Sequence, residues 1–439
     1  MRGRWTTSLV GLFLFIAGLA WADEAAAAPS PSPDLRTTWF FAEGATAPPF
    51  QTWLLLFNPN PSPTTATVQF LANGVVATRT VSIGANARAS LFVNEFLPNV
   101  AFGMRVDSGL PIAAERAMYF RQDGTAVAGI PEPSATWLFA EGATAFPHHT
   151  WFLLLNPTTT PANVTMTFFF EGGGSTARTL LVPPQSRASV FANQILPPAA
   201  FSTRITSDQP IVAERSMFKV DTGSGHAVPG ATAPARAWNF AEGSTAPPFQ
   251  TWYLVFNPNP SPIRLRAIFF LETGPGPDLD FTVPANARQS IFVNQLHPGL
   301  HFGAAFFIGD GAPFVVERSM FFRNGAHGTL GAPAPVATSD TWFFAEGSTG
   351  PPFDEWILLA NPSPEGPANA TLTFFFPDGR TVSRTVVVPS QGRSSVFLNL
   401  FLPPTAVATR VTSDRPIVAE RSMYFGGGNG GHNSIGIPR

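Results

Sequence analysis

Cysteine is absent from the 439-residue chain, and charged residues are scarce, at 12%. Without cysteine the protein can form neither disulfide bonds nor thiolate metal sites, and it has no cysteine nucleophile. The 26 basic and 28 acidic residues give a formal net charge of −2. A strongly basic nucleic-acid binder is therefore excluded, because counterion release needs clustered lysine and arginine. Tyrosine occurs 3 times against 42 phenylalanines, which indicates a folded, apolar chain with a weakly charged surface.

The N-terminal segment has the parts of a secretory signal peptide. Two arginines precede an apolar run, 9–20, and a small-x-small cleavage pattern follows at 20–22. The apolar run is too short to span a bilayer comfortably, which disfavours an uncleaved anchor. We predict a signal peptide over 1–22, a Pro/Ala-rich linker over 23–36, secretion to the cell surface or beyond, and no membrane insertion after cleavage.

The rest of the chain consists of four copies of one sequence repeat. A Trp-x-Phe-Ala-Glu-Gly-x-Thr motif begins at Trp39, Trp137, Trp238 and Trp342, at spacings of 98, 101 and 104 residues. A Glu-Arg-x-Met motif closes each copy. A period this long indicates tandem domains rather than a short-period solenoid. The predicted β-sandwich repeats span 37–130, 131–232, 233–336 and 337–439.

Each repeat has the sequence pattern of β-structure throughout. Short apolar runs rich in Phe, Val, Leu, Ile and Thr alternate with Gly, Pro and Asn. In the fourth repeat these runs predict seven strands. The last two are placed at 408–412 and 417–425, and a Gly-rich connector follows in which His432 shapes a turn. This density predicts an all-β protein of four tandem immunoglobulin-like sandwiches. Pro-rich connectors favour a rod or shallow arc, and the alternative is that the repeats close into a ring or barrel-like array.

Three motifs carry a resemblance to a known kind of repeat. Trp-x-Phe-Ala-Glu-Gly-x-Thr, Ala-Glu-Arg-Ser-Met-Tyr-Phe and the following Gly-Gly-His-Asn-x-x-Gly at 430–436 resemble a tandem β-repeat of exported bacterial surface and cell-wall-associated proteins. The resemblance covers residues 37–439. Because that family has no assigned activity, the resemblance implies an extracellular β-repeat protein and no specific reaction. This chain departs from it in the first copy, which lacks the histidine, and in the third, which has apolar residues at 306–308 where the others have an arginine.

The repeated charges predict a cluster in every copy. Side chains two residues apart on a strand share a face, so Trp39 and Glu43 lie together. A buried carboxylate needs a partner, and we predict that the Arg88-type or the Arg116-type guanidinium holds it. Glu115 and Arg116 are adjacent and face opposite sides, so they do not pair with each other. A structural ion-pair network or a repeated domain–domain contact is favoured over a ligand site for a sugar. The cluster comprises Trp39, Glu43, Arg88, Glu115, Arg116, Trp137, Glu141, Arg187, Glu214, Arg215, Trp238, Glu242, Arg288, Glu317, Arg318, Trp342, Glu346, Arg393, Glu420 and Arg421.

Motifs for catalysis are few. Glu43 and Glu115 resemble a glycosidase carboxylate pair only in residue type, and active sites are usually single rather than repeated fourfold. Histidine pairs at 148–149 and at 297 and 301 do not recur in the other copies, which disfavours a metal site. We predict no catalytic residue, no cofactor and no metal.

These patterns favour a non-catalytic structural or adhesive protein of the bacterial cell surface. Repetition supports this function because linked weak sites gain avidity. The alternative is a carbohydrate- or cell-wall-binding array that uses the Trp39-type and Trp53-type rings as stacking platforms, and a glycoside hydrolase ranks third. The expected partners are a cell-surface protein, a polysaccharide or further copies of this chain, and not nucleic acid.

Overall fold

A computed structural model of the protein describes residues 35–334 and 338–439, with the side chain of Asp310 left out. All of these residues belong to one compact unit. The predicted signal peptide and nearly all of the predicted linker lie outside the described residues. Within them the protein is nearly all β, with several antiparallel sheets, which confirms the predicted fold class.

The strands follow one plan in every repeat. The first repeat contains β1 (Arg36–Phe41), β2 (Phe50–Asn58), β3 (Thr64–Leu71), β4 (Val75–Ile83), β5 (Ala87–Phe92), β6 (Gly103–Phe120) and β7 (Asp123–Ala128). The second contains β8 (Ser134–Phe139), β9 (His148–Asn156), β10 (Ala162–Phe170), β11 (Ser175–Val182), β12 (Ser186–Phe191), β13 (Phe201–Lys219) and β14 (Ser224–Pro229).

The third and fourth repeats are divided slightly differently. The third contains β15 (Ala237–Phe240), β16 (Phe249–Asn257), β17 (Ile263–Leu271), β18 (Gly274–Val283), β19 (Ala287–Phe292), β20 (Gly303–Asp310), β21 (Val315–Phe322), β22 (Gly325–Leu330) and β23 (Ala332–Pro333). The fourth contains β24 (Ser339–Phe344), β25 (Asp354–Asn361), β26 (Ala368–Phe375), β27 (Thr381–Val388), β28 (Gly392–Phe397), β29 (Ala408–Phe425), β30 (Gly430–Ile435) and β31 (Ile437–Pro438). Single helical turns lie at Val93–Glu95, Ala192–Gln194, Val293–Leu296 (α1) and Leu398–Leu400.

One long strand serves both sheets of the first repeat. The first part of β6 pairs with β1 and β3, and its second part pairs with β2 and β7. Strand β4 extends the first sheet beyond β3, and β5 extends the second beyond β2. Along β3 the residues alternate, with Ala66, Val68 and Phe70 buried, Thr65 and Thr67 exposed and Gln69 half-buried. This alternation places one face of the sheet in the core of the repeat.

The end of the repeat differs from the sequence prediction. The two strands predicted at 408–412 and 417–425 are one strand, β29, because Pro416 lies where the strand passes between sheets and does not end it. The connector predicted beyond them is a strand, β30, which pairs with β29. His432 is buried within β30 and does not shape a turn. Glycine is required at the start of β30, since a Cβ on Gly430 would stand 2.0 Å from the Gln122 carbonyl oxygen.

The four repeats close into a ring. The last hairpin strands, β7, β14, β22 and β30, pack against one another in that order, and β30 packs against β7. The first and fourth repeats also meet through their apolar residues. The centroid of the Phe57 aromatic ring lies 4.8 Å from that of Phe375 and 6.3 Å from that of Phe343. The predicted rod or shallow arc is therefore wrong, and the ring alternative describes the structure. The apolar cores contain residues of neighbouring repeats, and this burial across junctions favours closure over extension.

Candidate functional site

A buried arginine bridges two repeats at the first junction. Arg116 donates from Nη2 to Glu43 Oε2 at 2.9 Å and from Nη1 to the Glu43 carbonyl at 2.8 Å, both within its own repeat. Its Nη1 also donates to Glu214 Oε2 of the second repeat at 2.6 Å. Glu214 in turn accepts the backbone N–H of Ala42 at 2.6 Å. Arg116 and Glu214 are fully buried, so this charge-assisted network joins the repeats away from water.

The same bridge occurs at every junction and closes the ring electrostatically. Each arginine meets one glutamate of its own repeat and one of the next, and the last arginine meets a glutamate of the first repeat. The remaining distances are Arg215 to Glu141 2.7 Å and to Glu317 2.8 Å, Arg318 to Glu242 3.2 Å and to Glu420 2.8 Å, and Arg421 to Glu346 2.7 Å and to Glu115 2.6 Å. Of the two predicted guanidinium types, the Arg116 type is the one that the structure places on the Glu43-type carboxylate.

The Arg88-type residues bind backbone carbonyls of the neighbouring repeat instead of the Glu43-type carboxylates. Each of them donates to a backbone carbonyl in the Phe-Ala-Glu-Gly segment of the preceding repeat. None of their guanidinium nitrogens lies within 4 Å of a carboxylate oxygen of the glutamate in that segment. The distances are Arg88 Nη1 to Gly347 O 3.3 Å, Arg187 Nε to Ala42 O 3.0 Å, Arg288 Nη1 to Gly142 O 2.7 Å and Arg393 Nη1 to Gly243 O 3.2 Å. Burial lowers the pKa of Arg187 to about 10. The sequence did not reveal this role because it depends on a contact between repeats.

The Trp39-type rings belong to the core. Each indole is almost completely buried, and its Nε1 donates to a backbone carbonyl of the long strand of its own repeat or, in the third repeat, of the segment between β20 and β21. The acceptors are Ile112 for Trp39 at 2.9 Å, Ile211 for Trp137 at 3.0 Å, Phe314 for Trp238 at 2.8 Å and Ile417 for Trp342 at 2.9 Å. The hypothesis that these rings are stacking platforms for a sugar is therefore wrong. The Trp53 ring is partly exposed and stacks on Phe92 with centroids 4.5 Å apart.

Each Glu43-type carboxylate receives a second side-chain donor from the following repeat. Ser216 donates to Glu43, and Ser319 donates to Glu141 at 2.7 Å. The first repeat has Ala117 at the corresponding position, and there the hydroxyl of Tyr119 donates to Glu346 at 3.0 Å. The hydroxyl of Tyr424 donates in the same way to Glu242 at 3.0 Å, although the fourth repeat has Ser422 at the serine position.

We expect Tyr119→Phe to lower the free energy of unfolding by about 1–3 kcal/mol, because it leaves a buried carboxylate oxygen short of a donor. Urea unfolding of the full chain measures the loss. The double variant Ala117→Ser with Tyr119→Phe copies the arrangement of the second repeat and is expected to recover most of it. Equal stability of the wild type and Tyr119→Phe would contradict this account.

A cavity of about 750 Å³ opens at the junction of the fourth and first repeats. Its aromatic lining includes Trp53, Tyr119 and Phe353, and its charged lining includes Arg88 and Glu346. The cavity is concave and largely apolar with a few convergent polar groups, which is the usual form of a small-molecule site. Its remaining lining residues include Gln51, Ser90, Arg121, Asp123, Phe425 and Asn429.

The same junction contains an additional buried carboxylate. Glu355 occupies the position of Thr52, Thr150 and Thr251 in the other repeats. Its side chain is fully buried, and neither carboxylate oxygen has a partner of good hydrogen-bond geometry among the described residues. Burial raises the pKa of Glu355 to about 8, an effect that Arg421 and, weakly, the Ser348 N–H oppose. This junction therefore carries a proton or a negative charge that the other junctions do not have at this position.

The part of the chain that the structure describes contains neither a metal-ligand cluster nor a membrane-spanning helix. No group of three or more His, Asp or Glu side chains in that part is arranged to hold a metal ion. Likewise, none of the helices there has the length and apolar character needed to cross a membrane.

No protein-family model and no curated protein sequence matches the chain. Among solved structures, a part of the chain is similar to Thermotoga maritima 1070, with 17% identity over 23% of this chain and 96% of that chain and a TM-score of 0.22. A part of the chain is also similar to the Anabaena sensory rhodopsin transducer, with 25% identity over 19% of this chain and 95% of that chain and a TM-score of 0.18. A tetra-tandem repeat from the extending region of a large adhesion protein is similar over 87% of this chain and 93% of that chain, with 14% identity and a TM-score of 0.11. Scores this low carry no argument about function.

Proposed function

We propose that the protein is a non-catalytic, extracellular binding protein of the bacterial surface, and that the cavity between its fourth and first repeats binds a saccharide. The cavity itself is the observation that carries this proposal. Aromatic rings such as Trp53 and Tyr119 offer flat apolar faces, and Gln51, Arg88 and Ser90 offer hydrogen bonds beside them. A sugar ring has the complementary combination of an apolar face and hydroxyl groups. The predicted signal peptide supports the extracellular location.

The positions of the carboxylates support binding rather than hydrolysis. Glu43 and Glu115, the pair considered for a glycosidase, serve two different junctions, since Glu43 meets Arg116 and Glu115 meets Arg421. Each is buried and already engaged by a guanidinium, which leaves no position for a water or a glycosidic oxygen between them. A role as an extended spacer loses its support because the repeats form a ring.

Binding is tested by incubating the mature chain with purified cell wall, insoluble polysaccharides and soluble oligosaccharides. We expect Trp53→Ala to weaken binding by about tenfold or more, as truncation of an aromatic anchor commonly does. Trp252→Ala is the matched control, because Trp252 is the corresponding ring of the third repeat, stacked on Phe292 at 4.3 Å, and does not line this cavity. Melting curves establish that both variants are folded. Failure of the wild type to bind any glycan, or equal losses in both variants, would overturn the proposal.

A further inference from the structure

The centre of the ring is organised around one carboxylate. Asp123 is the first residue of β7, and its side chain accepts a backbone N–H from each of the other three repeats. Oδ2 accepts from Gly225 at 2.9 Å and from Ala326 at 3.0 Å, and Oδ1 accepts from Gly431 at 2.9 Å. Only 1% of the residue is exposed. A side chain of the first repeat thus holds the backbones of all the others.

The donors are equivalent by position in the repeats. Gly225, Ala326 and Gly431 are each the second residue of the last hairpin strand of their repeat. The corresponding residue of the first repeat, Gly124, also directs its N–H to Asp123. Four N–H dipoles, one from each repeat, therefore point at a single position on the ring axis. Converging backbone N–H groups of this kind form a concavity that favours a negative charge.

The acceptor is not equivalent by position. Where the first repeat has Asp123, the others have Ser224, Gly325 and Gly430. Space on the axis explains part of this asymmetry, because a Cβ on Gly430 would overlap the Gln122 carbonyl and one on Gly325 would lie 2.8 Å from the Asn429 carbonyl oxygen. Only one repeat contributes an acid to a site that all four repeats build.

We propose that the axis of the ring is an anion-binding site for a carboxylate-sized monoanion, and that this chain fills the site with its own Asp123. The internal ligand connects repeats 2, 3 and 4 to repeat 1 at one point, so it fixes the closure of the ring. Burial raises the pKa of Asp123 to about 7 while the N–H donors oppose that shift, and the carboxylate is ionised in mildly alkaline solution. Although Asp123 also borders the cavity described above, this inference does not depend on the saccharide proposal.

The test empties the site and offers it an external anion. Asp123→Gly installs the residue of the third and fourth repeats, and Ser224→Gly is the matched control for the added backbone freedom. At pH 8 we expect Asp123→Gly to melt about 5 °C or more below the control, because the axial N–H groups lose their acceptor. Sodium formate, added at constant ionic strength, is expected to restore more than half of that loss saturably in this variant, and to leave the wild type and Ser224→Gly unchanged.

Formate binding is also observed directly, through broadening of the ¹³C-formate resonance by Asp123→Gly and not by the wild type. If Asp123→Gly does not fold, Asp123→Ser, which carries the residue of the second repeat, takes its place with the same expectations. Melting of the variant at the temperature of the control would overturn the proposal. So would a loss of stability that formate does not restore, with no broadening of its resonance.

Discussion

Replacing Arg421 by methionine is expected to lower the free energy of unfolding by about 3–5 kcal/mol. The substitution removes the cation between Glu115 and Glu346 and leaves both carboxylates buried without it. Arg421 and Glu346 belong to the last repeat and Glu115 to the first, so the part of this cost that comes from Glu115 arises only if the ring is closed. In an open array the guanidinium would have lost its second carboxylate already. Urea unfolding of the full chain gives the value.

Two further variants make this measurement decisive. Arg116→Met breaks the corresponding bridge between the first and second repeats, which are adjacent in sequence, and is expected to cost a similar amount. Arg380→Met removes a guanidinium whose side chain is 75% exposed and is expected to change stability by less than about 1 kcal/mol. An Arg421→Met variant as stable as Arg380→Met, while Arg116→Met is strongly destabilised, would contradict a closed ring.

Replacing Glu355 by threonine is expected to stabilise the protein, and increasingly so as the pH rises. Burial raises the pKa of Glu355 from an ordinary 4.5 to about 8, so folding disfavours the ionised form. Below pH 4.5 the side chain is protonated in the folded and unfolded states alike, and ionisation costs nothing. The cost grows as the pH rises from 4.5 to about 8 and is constant above that. The full shift corresponds to about 5 kcal/mol.

A threonine at position 355 would also form the backbone hydrogen bonds that the corresponding threonines of the other repeats form. In the first repeat, Thr52 donates to the Ala45 carbonyl at 2.6 Å and accepts the Ala45 N–H at 3.2 Å, and Glu355→Thr is expected to form the same pair of bonds with Ser348. Unfolding free energies of both proteins between pH 4.5 and 8.5 provide the comparison. Glu365→Thr, at a side chain that is 76% exposed, is the control and should show no such pH-dependent gain. A stability difference between Glu355→Thr and the wild type that stays constant with pH would show that Glu355 is not buried as a neutral acid.

The internal alternation of each repeat made much of its architecture predictable. Apolar residues separated by Gly, Pro and Asn indicated the strands, and the recurrence of the Trp39 motif indicated the number of repeats. The errors lie where local pattern and tertiary contact disagree. Pro416 resembled a strand end because proline usually interrupts a ladder, yet it lies at the passage between two sheets. The Gly-rich segment around Gly430 resembled a connector because glycine disfavours strands, yet the crowded ring axis requires it.

The sequence by itself determined the fold class, the fourfold repetition and the residue types of the buried cluster. Its scarcity of charge meant that the recurring glutamates and arginines needed one another, and spacing alone separated Glu115 from Arg116. Only the tertiary structure decided which partner each residue takes. Arg116 reaches Glu214, Arg421 reaches Glu115 and Asp123 reaches three other repeats. These contacts join residues about 100 to 300 positions apart, and periodicity within a strand describes only local geometry. The closure of the ring, the cavity at its last junction and the carboxylate on its axis all follow from those long-range contacts.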